Sequence, residues 1–291
     1  MVEPLTPSRL LTAWTFDPVA ALGCVGAAVA YAQGIARLRV RGRSWSARRS
    51  TSFFSGIAAI VIATQSGLAA YDTTLFSAHV AQHVLLGVVA PLLLALGAPV
   101  TLALQAAHRP TQVNIIRWLR MPVVRVLGHP VTAWLLFGST LFVLYFSPLY
   151  ELSLRNGVVH AWVHLHFVVV GSLFFWAAIG LDPVAHRIPH GARLLLIVLT
   201  VPFHAFLGLA LMSTTEPLAG AYYAEQARAW GDTVLGDQRT GAALMWLVGD
   251  VVGVVCGIVV AQSWYRHDQR RAHREDRRLD RLDALSREEV G

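Results

Sequence analysis

The sequence contains no lysine: all 24 of its basic residues are arginine, set against 17 acidic residues for a formal charge of +7. Charge of either sign is scarce, at 14% of residues, while 55% are apolar and the mean hydropathy is +0.52. That balance excludes an ordinary soluble domain. The arginines flank apolar runs instead of forming one patch, so they do not make a nucleic-acid surface. Cysteine is nearly absent: Cys24 and Cys256, both inside apolar runs, allow neither a disulfide framework nor a cysteine metal cage. The opening MVEPLTPSRLLTAW lacks the basic start, short apolar core and small-residue cleavage site of a signal peptide, so the first apolar run is expected to stay in the protein. There is no internal repeat and no low-complexity linker. What remains is an integral membrane protein.

A span requires roughly 20 mostly apolar residues. Seven segments approach that length, at about 17–36, 52–71, 77–104, 129–147, 157–180, 192–213 and 240–265. The expected fold class is therefore all-α: a polytopic seven-transmembrane-helix bundle over residues 1–265, followed by a charged tail at 266–291. The third segment carries Pro91, Gly97 and Pro99 and is expected to kink near its inner end. Arginine is retained on the cytoplasmic side, and the loops divide its 24 copies as twenty on one face against Arg9, Arg155, Arg228 and Arg239 on the other. This places the N-terminus outside and the tail in the cytoplasm, a split that needs an odd number of spans. The tail mixes both signs and reads as a solvated helix or a contact for anionic lipid headgroups.

With orientation assigned, each polar residue inside a span acquires a depth at 1.5 Å per residue. His79 and His83 open the third span and His160 and His164 the fifth, all within roughly 10 Å of the outer surface. Asp237 and Gln238 precede the seventh span at that level, and Met245 follows about two turns on. A deeper level, at roughly 13 to 15 Å, holds His166, His204 and Asp250. Residues four apart lie on one helix face, so His79 with His83, and His160 with His164, form two pairs able to share one ligand. His166 is about 200° round from His164, and a regular helix cannot aim both at one ion. The deep residues therefore suggest a second or transfer site. Met212 reads as packing, and His108, His129, His186, His190, His267 and His273 as interface or tail residues.

Imidazole suits copper, zinc and iron, and a nearby thioether favours Cu(I). Zinc with about three protein ligands, an open water position and a carboxylate base would make an intramembrane hydrolase. Haem would need facing histidines and a slot of small residues. A further alternative is a scaffold whose histidines only hydrogen-bond. The residues alone leave these open.

The strings SAHVAQHVLLGVVAPLLLALGAPVTLAL, HAWVHLHFVVVGSLFFWAAIGLDP, RLLLIVLTVPFHAFLGLALM and DQRTGAALMWLVGD, in this order, resemble successive blocks of the CtaG family of bacterial cytochrome c oxidase assembly proteins, as do AWTFDP, Trp45 and FFSGIAAI. The resemblance covers nearly all but the tail. It implies seven spans in the bacterial plasma membrane and a non-enzymatic role in delivering copper, as Cu(I), to the oxidase catalytic subunit. The two histidine pairs and Asp237-Gln238 carry the family pattern, and His166 and His204 fit a subgroup with HLHF and FHAF. Leu92 and Ala242 depart from it, where a second Pro and a second Gly are expected, without removing a donor. On this basis His79, His83, His160 and His164 are expected to catch the ion, with Asp237 or Met245 as an exchangeable donor and His166, His204 and Asp250 passing it inward. An extracytoplasmic copper donor is an implied partner, and the exposed face of the bundle could pair with itself or with an oxidase subunit. Ligating imidazoles must be unprotonated, so affinity is expected to fall below about pH 6.

Overall fold

The structure, a computed structural model, describes residues 3–184, 186, 188–226 and 228–290, and only the backbone of 270, 274 and 278–290. Arg187, one of the arginines in the orientation count, lies outside the described residues, as do Met1, Val2 and Gly291. Among the described residues all regular structure is helical. Seven principal helices are α1 (Pro18–Val40), α2 (Ala47–Gln65), α3 (Phe76–Ala106, broken), α4 (Pro130–Tyr145), α5 (Gly157–Ile179), α6 (His190–Ser213) and α7 (Val234–Val290). Six of these are long and apolar enough to cross a membrane. The fourth qualifies only when α4 and the Leu149–Arg155 helix, bent by 70° from it, are taken as one span. The fold is thus all-helical with six to seven candidate spans.

Local chemistry accounts for the boundaries. Asp17 accepts hydrogen bonds from Val19 N and Ala20 N at the start of α1, with Pro18 in the first turn, where its missing N–H costs nothing. Asn156 does the same for Val158 N and Val159 N at the start of α5, and Gly180, in the left-handed conformation, ends that helix. The tail does not break away at residue 266: α7 continues through it.

The third span is the irregular one. It begins as Phe76–Val84, widens to a π turn at Leu85–Val89, resumes as Ala90–Leu96, breaks, and ends as Pro99–Ala106. Pro91 has no N–H to give the Gly87 carbonyl and its ring would crowd that oxygen, so the wider turn accommodates it. Gly171 of α5 packs on the freed carbonyl: a Cβ there would lie 2.1 Å from Gly87 O. The break falls at Gly97 and Ala98, the latter fully buried with φ of 50°. The liberated Gly97 carbonyl accepts from Tyr31 Oη at 2.9 Å, which anchors α1 to the break. Asp182, just after α5, accepts from Val100 N, Thr101 N and Thr101 Oγ1 and so caps the inner segment. The expected kink is present at Gly97-Ala98, while Pro91 produces a bulge.

The core joins the Phe76–Leu86 part of α3 with α4, α5, α6 and α7, and α6 packs along α7 most extensively. α1 leans on α2 and on the Pro99–Ala106 segment. Between α1 and α5 a groove of about 880 Å³ remains, walled mainly by apolar side chains and reaching from Asp17 to Asp182.

Candidate metal centre

The π turn begins two residues after His83, and the resulting contact between α3 and α5 brings both histidine pairs together. The rings of His79 and His83 have centroids 4.1 Å apart, those of His160 and His164 4.2 Å. Across the helices His79 stacks on His160 at 5.2 Å and 11°, and His83 meets His164 at 5.6 Å. Ligand atoms of His79, His83 and His160 all lie within 4.8 Å of one another, and so do those of Asp72, His160 and His164. Phe167 covers His83 from one side at 4.4 Å, and the Tyr150 ring lies edge-on to His79 at 5.1 Å.

The cluster is short of hydrogen bonds. His79 is fully buried and His83 is 2% exposed, yet among the described residues none of their four ring nitrogens makes a well-formed hydrogen bond, nor does Nε2 of His160, although the Asp72 backbone lies near enough to act on His79. An unsatisfied buried polar atom costs about 1–3 kcal/mol, so five in one cluster are hard to reconcile with packing alone. A bound cation would satisfy the lone-pair nitrogen of each ring, leaving one N–H apiece on His79 and His83. His164 is held differently: Gln82 Nε2 donates to Ala63 O at 2.9 Å, so its Oε1, 3.0 Å from His164 Nε2, accepts from that nitrogen. This bond assigns the proton to Nε2 and leaves Nδ1 with its lone pair, a common arrangement around metal-binding imidazoles. On its other side His164 forms part of the groove wall between α1 and α5.

Asp72 and Gln82 were not among the residues expected from the sequence. Asp72 lies in the turn between α2 and α3, buried, with Oδ2 3.9 Å from His160 Nε2. Burial pushes its carboxyl up to about 7, against hydrogen bonds from Gln82 and the Thr73 backbone that favour the charged form. An acidic residue seven positions before His79 was the available signal, but it falls in a connecting turn and not within a span.

The other expected residues are placed as follows. The carboxylate of Asp237 is occupied, accepting from Phe76 N at 2.7 Å, Ser77 N at 3.4 Å and Ser77 Oγ at 2.5 Å; it caps the start of α3 and does not join the clustered ligand atoms. Gln238 is likewise engaged, accepting from Leu218 N and donating to Leu211 O and Thr214 Oγ1. The deep trio is not assembled as expected. His166 is exposed on α5, and since Thr140 Oγ1 donates to Leu136 O, its Nε2 donates to that hydroxyl at 3.0 Å. His204 is buried, and the Asp250 carboxylate is near enough to act on it electrostatically. Met245 is 1% exposed and shares a small cavity wall with His83 and His204. The four clustered rings have neighbouring centroids 4.1 to 6.1 Å apart, so no macrocycle fits between them.

Comparison with known proteins gives this geometry a family. Residues 29–267 match the cytochrome c oxidase caa3 assembly factor family, Caa3_CtaG. The chain belongs to that family. The match to this assembly-factor family covers all seven principal helices except the start of α1 and the far end of α7. The chain is also 37% identical over 285 residues to Uncharacterized protein Mb0105 of Mycobacterium bovis and to Uncharacterized protein MT0111 of Mycobacterium tuberculosis, and 34% identical to Uncharacterized protein ML1998 of Mycobacterium leprae. Each match covers 96% of this chain and 43% of the relative, so the chain spans less than half the length of these proteins. No solved structure matches it.

Proposed function

We propose that this caa3 assembly-factor chain handles copper as cargo, taking up Cu(I) on His79, His83 and His160 and releasing it toward the catalytic subunit of the oxidase. The observation that carries the reading is the set of unpartnered, buried ring nitrogens converging from α3 and α5. Neutral imidazoles hold Cu(I) without the tight grip of thiolates, which suits an ion that must leave again. Asp72 beside His160 and His164 offers a carboxylate that can offset the cargo's charge, in place of Asp237. The groove at His164 gives the cluster a lateral side facing the bilayer, where an acceptor within the membrane would lie. The arginine distribution puts this end of the bundle on the outer face, so the ion would arrive from an extracytoplasmic donor. No covalent chemistry is required of the chain, which acts as a carrier in the bacterial plasma membrane.

The test is metal content by mass spectrometry of detergent-purified protein after anaerobic Cu(I) loading, beside the His79→Ala, His83→Ala, His160→Ala, His164→Ala quadruple variant. Stoichiometric copper in the parent and none in the variant is expected. Absence of copper from both would overturn the reading. A second reading, a zinc-dependent hydrolase, draws on the same carboxylate beside the histidines; retention of zinc over copper, with cleavage of a lipid ester, would transfer support to it.

A further inference from the structure

We infer that the bundle holds a second, inner station for Cu(I), formed by His83, Met245 and His204, and that His83 belongs to both stations. The inference rests on the copper-carrier reading and extends it to where the ion goes next. Beside His83 of the outer cluster lies a partly enclosed cavity of about 20 Å³, room for about one water-sized occupant. His83 of α3, His204 of α6 and Met245 of α7 line it, with Tyr145 and Phe167. Three separate spans thus each place a residue that carries a nitrogen or sulfur donor around one small void.

Two further polar atoms of the residues lining this cavity lack partners among the described residues, as those of the outer cluster do. His204 is 4% exposed and its Nε2 has no hydrogen bond, nor has Tyr145 Oη. The Thr200 carbonyl, 3.3 Å from His204 Nδ1, can only accept, so the proton is on Nδ1 and Nε2 keeps its lone pair. Gly249, one turn beyond Met245 on α7, makes room for the ring: a Cβ there would lie 2.6 Å from His204 Cγ. Two imidazoles and a thioether form a soft donor set of low coordination number, which selects Cu(I) over zinc or magnesium. A thioether is a weak acceptor and would gain little from a water molecule in its place.

Transfer between the stations is a ligand exchange. Bonds from the ion to His79 and His160 break, bonds to Met245 Sδ and His204 Nε2 form, and His83 stays bound throughout. Copper remains Cu(I), and no proton or electron moves, because His204 Nε2 is already unprotonated. His166, which sequence depth had grouped with His204, has no part in this.

The experiment uses the full chain labelled with selenomethionine, so that a Met245 contact appears as a copper scatterer at the selenium edge without altering the fold. The His79→Ala, His160→Ala double variant removes the outer station and leaves the inner one. After anaerobic Cu(I) loading it should retain about one ion with a copper–selenium contact, and adding Met245→Leu should abolish that contact and weaken binding at least about tenfold. A double variant that holds copper through nitrogen alone, or that binds none while the parent does, would overturn the inner station and leave the carrier reading standing. Absence of copper from the parent protein would overturn both.

Discussion

Two sets of polar residues are buried near the same end of this bundle, and they are treated in opposite ways. Asp237 and Gln238 on α7 have their hydrogen-bonding capacity filled: one caps α3 with three accepted bonds, the other ties α7 to Leu211, Thr214 and Leu218. Ring nitrogens of His79, His83 and His160, near the start of the neighbouring helices, are left without hydrogen bonds among the described residues, with Asp72 the nearest acceptor, 3.9 Å from His160. The first set holds helices in register, and its energy is already realised in the folded chain. The second has a deficit that the described protein groups do not fill. A count of polar residues per span would rank the two alike; the count of partners separates them.

The largest effect should come from the starved set. Replacing the four clustered histidines by alanine should reduce bound Cu(I) from about one per chain to none without lowering the thermal midpoint, because several unsatisfied nitrogens disappear with the rings. A loss of folding in that variant, seen as aggregation on size-exclusion chromatography, would put the histidines in the structural class. Next is the filled set. Asp237→Ala strips acceptors from two backbone N–H groups and a hydroxyl, and should cost about 3 kcal/mol in detergent unfolding while leaving copper stoichiometry intact in the folded fraction. If copper were lost first, Asp237 would belong with the ligands. Gln82→Leu tests the bridge between the sets. It removes the acceptor that orients His164 and should weaken Cu(I) binding by about 10- to 100-fold, measured against a competing chelator. The smallest effect is expected at His166→Ala. That exposed ring holds only the Thr140 hydroxyl, so stability should shift by less than about 0.5 kcal/mol and copper affinity should not change.

Much of this was legible in the sequence because the relevant signals are periodic. Four-residue spacing placed each histidine pair on one helix face, and apolar run lengths located the spans. The fourth span fell short as a straight helix because the chain turns by 70° near Pro148, which hydropathy does not register. Asp72 was hidden because its role depends on the turn after α2 folding over the bundle, a tertiary fact with no local pattern. Depth alone misgrouped His166 with His204: two residues at one level on different helices still need facing directions, and the ring of His166 faces away from the core. Asp237 could not be separated from a ligand by type or level, since only the nearby start of α3 reveals that its oxygens are in use. The bulge after His83 follows from Pro91 once the Gly87 carbonyl is considered, but its packing against Gly171 required the fold.

The two long-range caps also set a timetable for biosynthesis. Asp182, which caps the inner end of the third span, emerges from the ribosome only after the fifth span, and Asp237, which caps the outer end, only with the seventh. Until the last span has been made, the first turn of the helix that carries His79 and His83 is unfastened, even after Asp182 has capped its Pro99–Ala106 end. A nascent chain therefore finishes fastening the histidine-bearing helix only with its last span, and premature capture of metal by an unfinished protein is discouraged by the order in which its own carboxylates arrive.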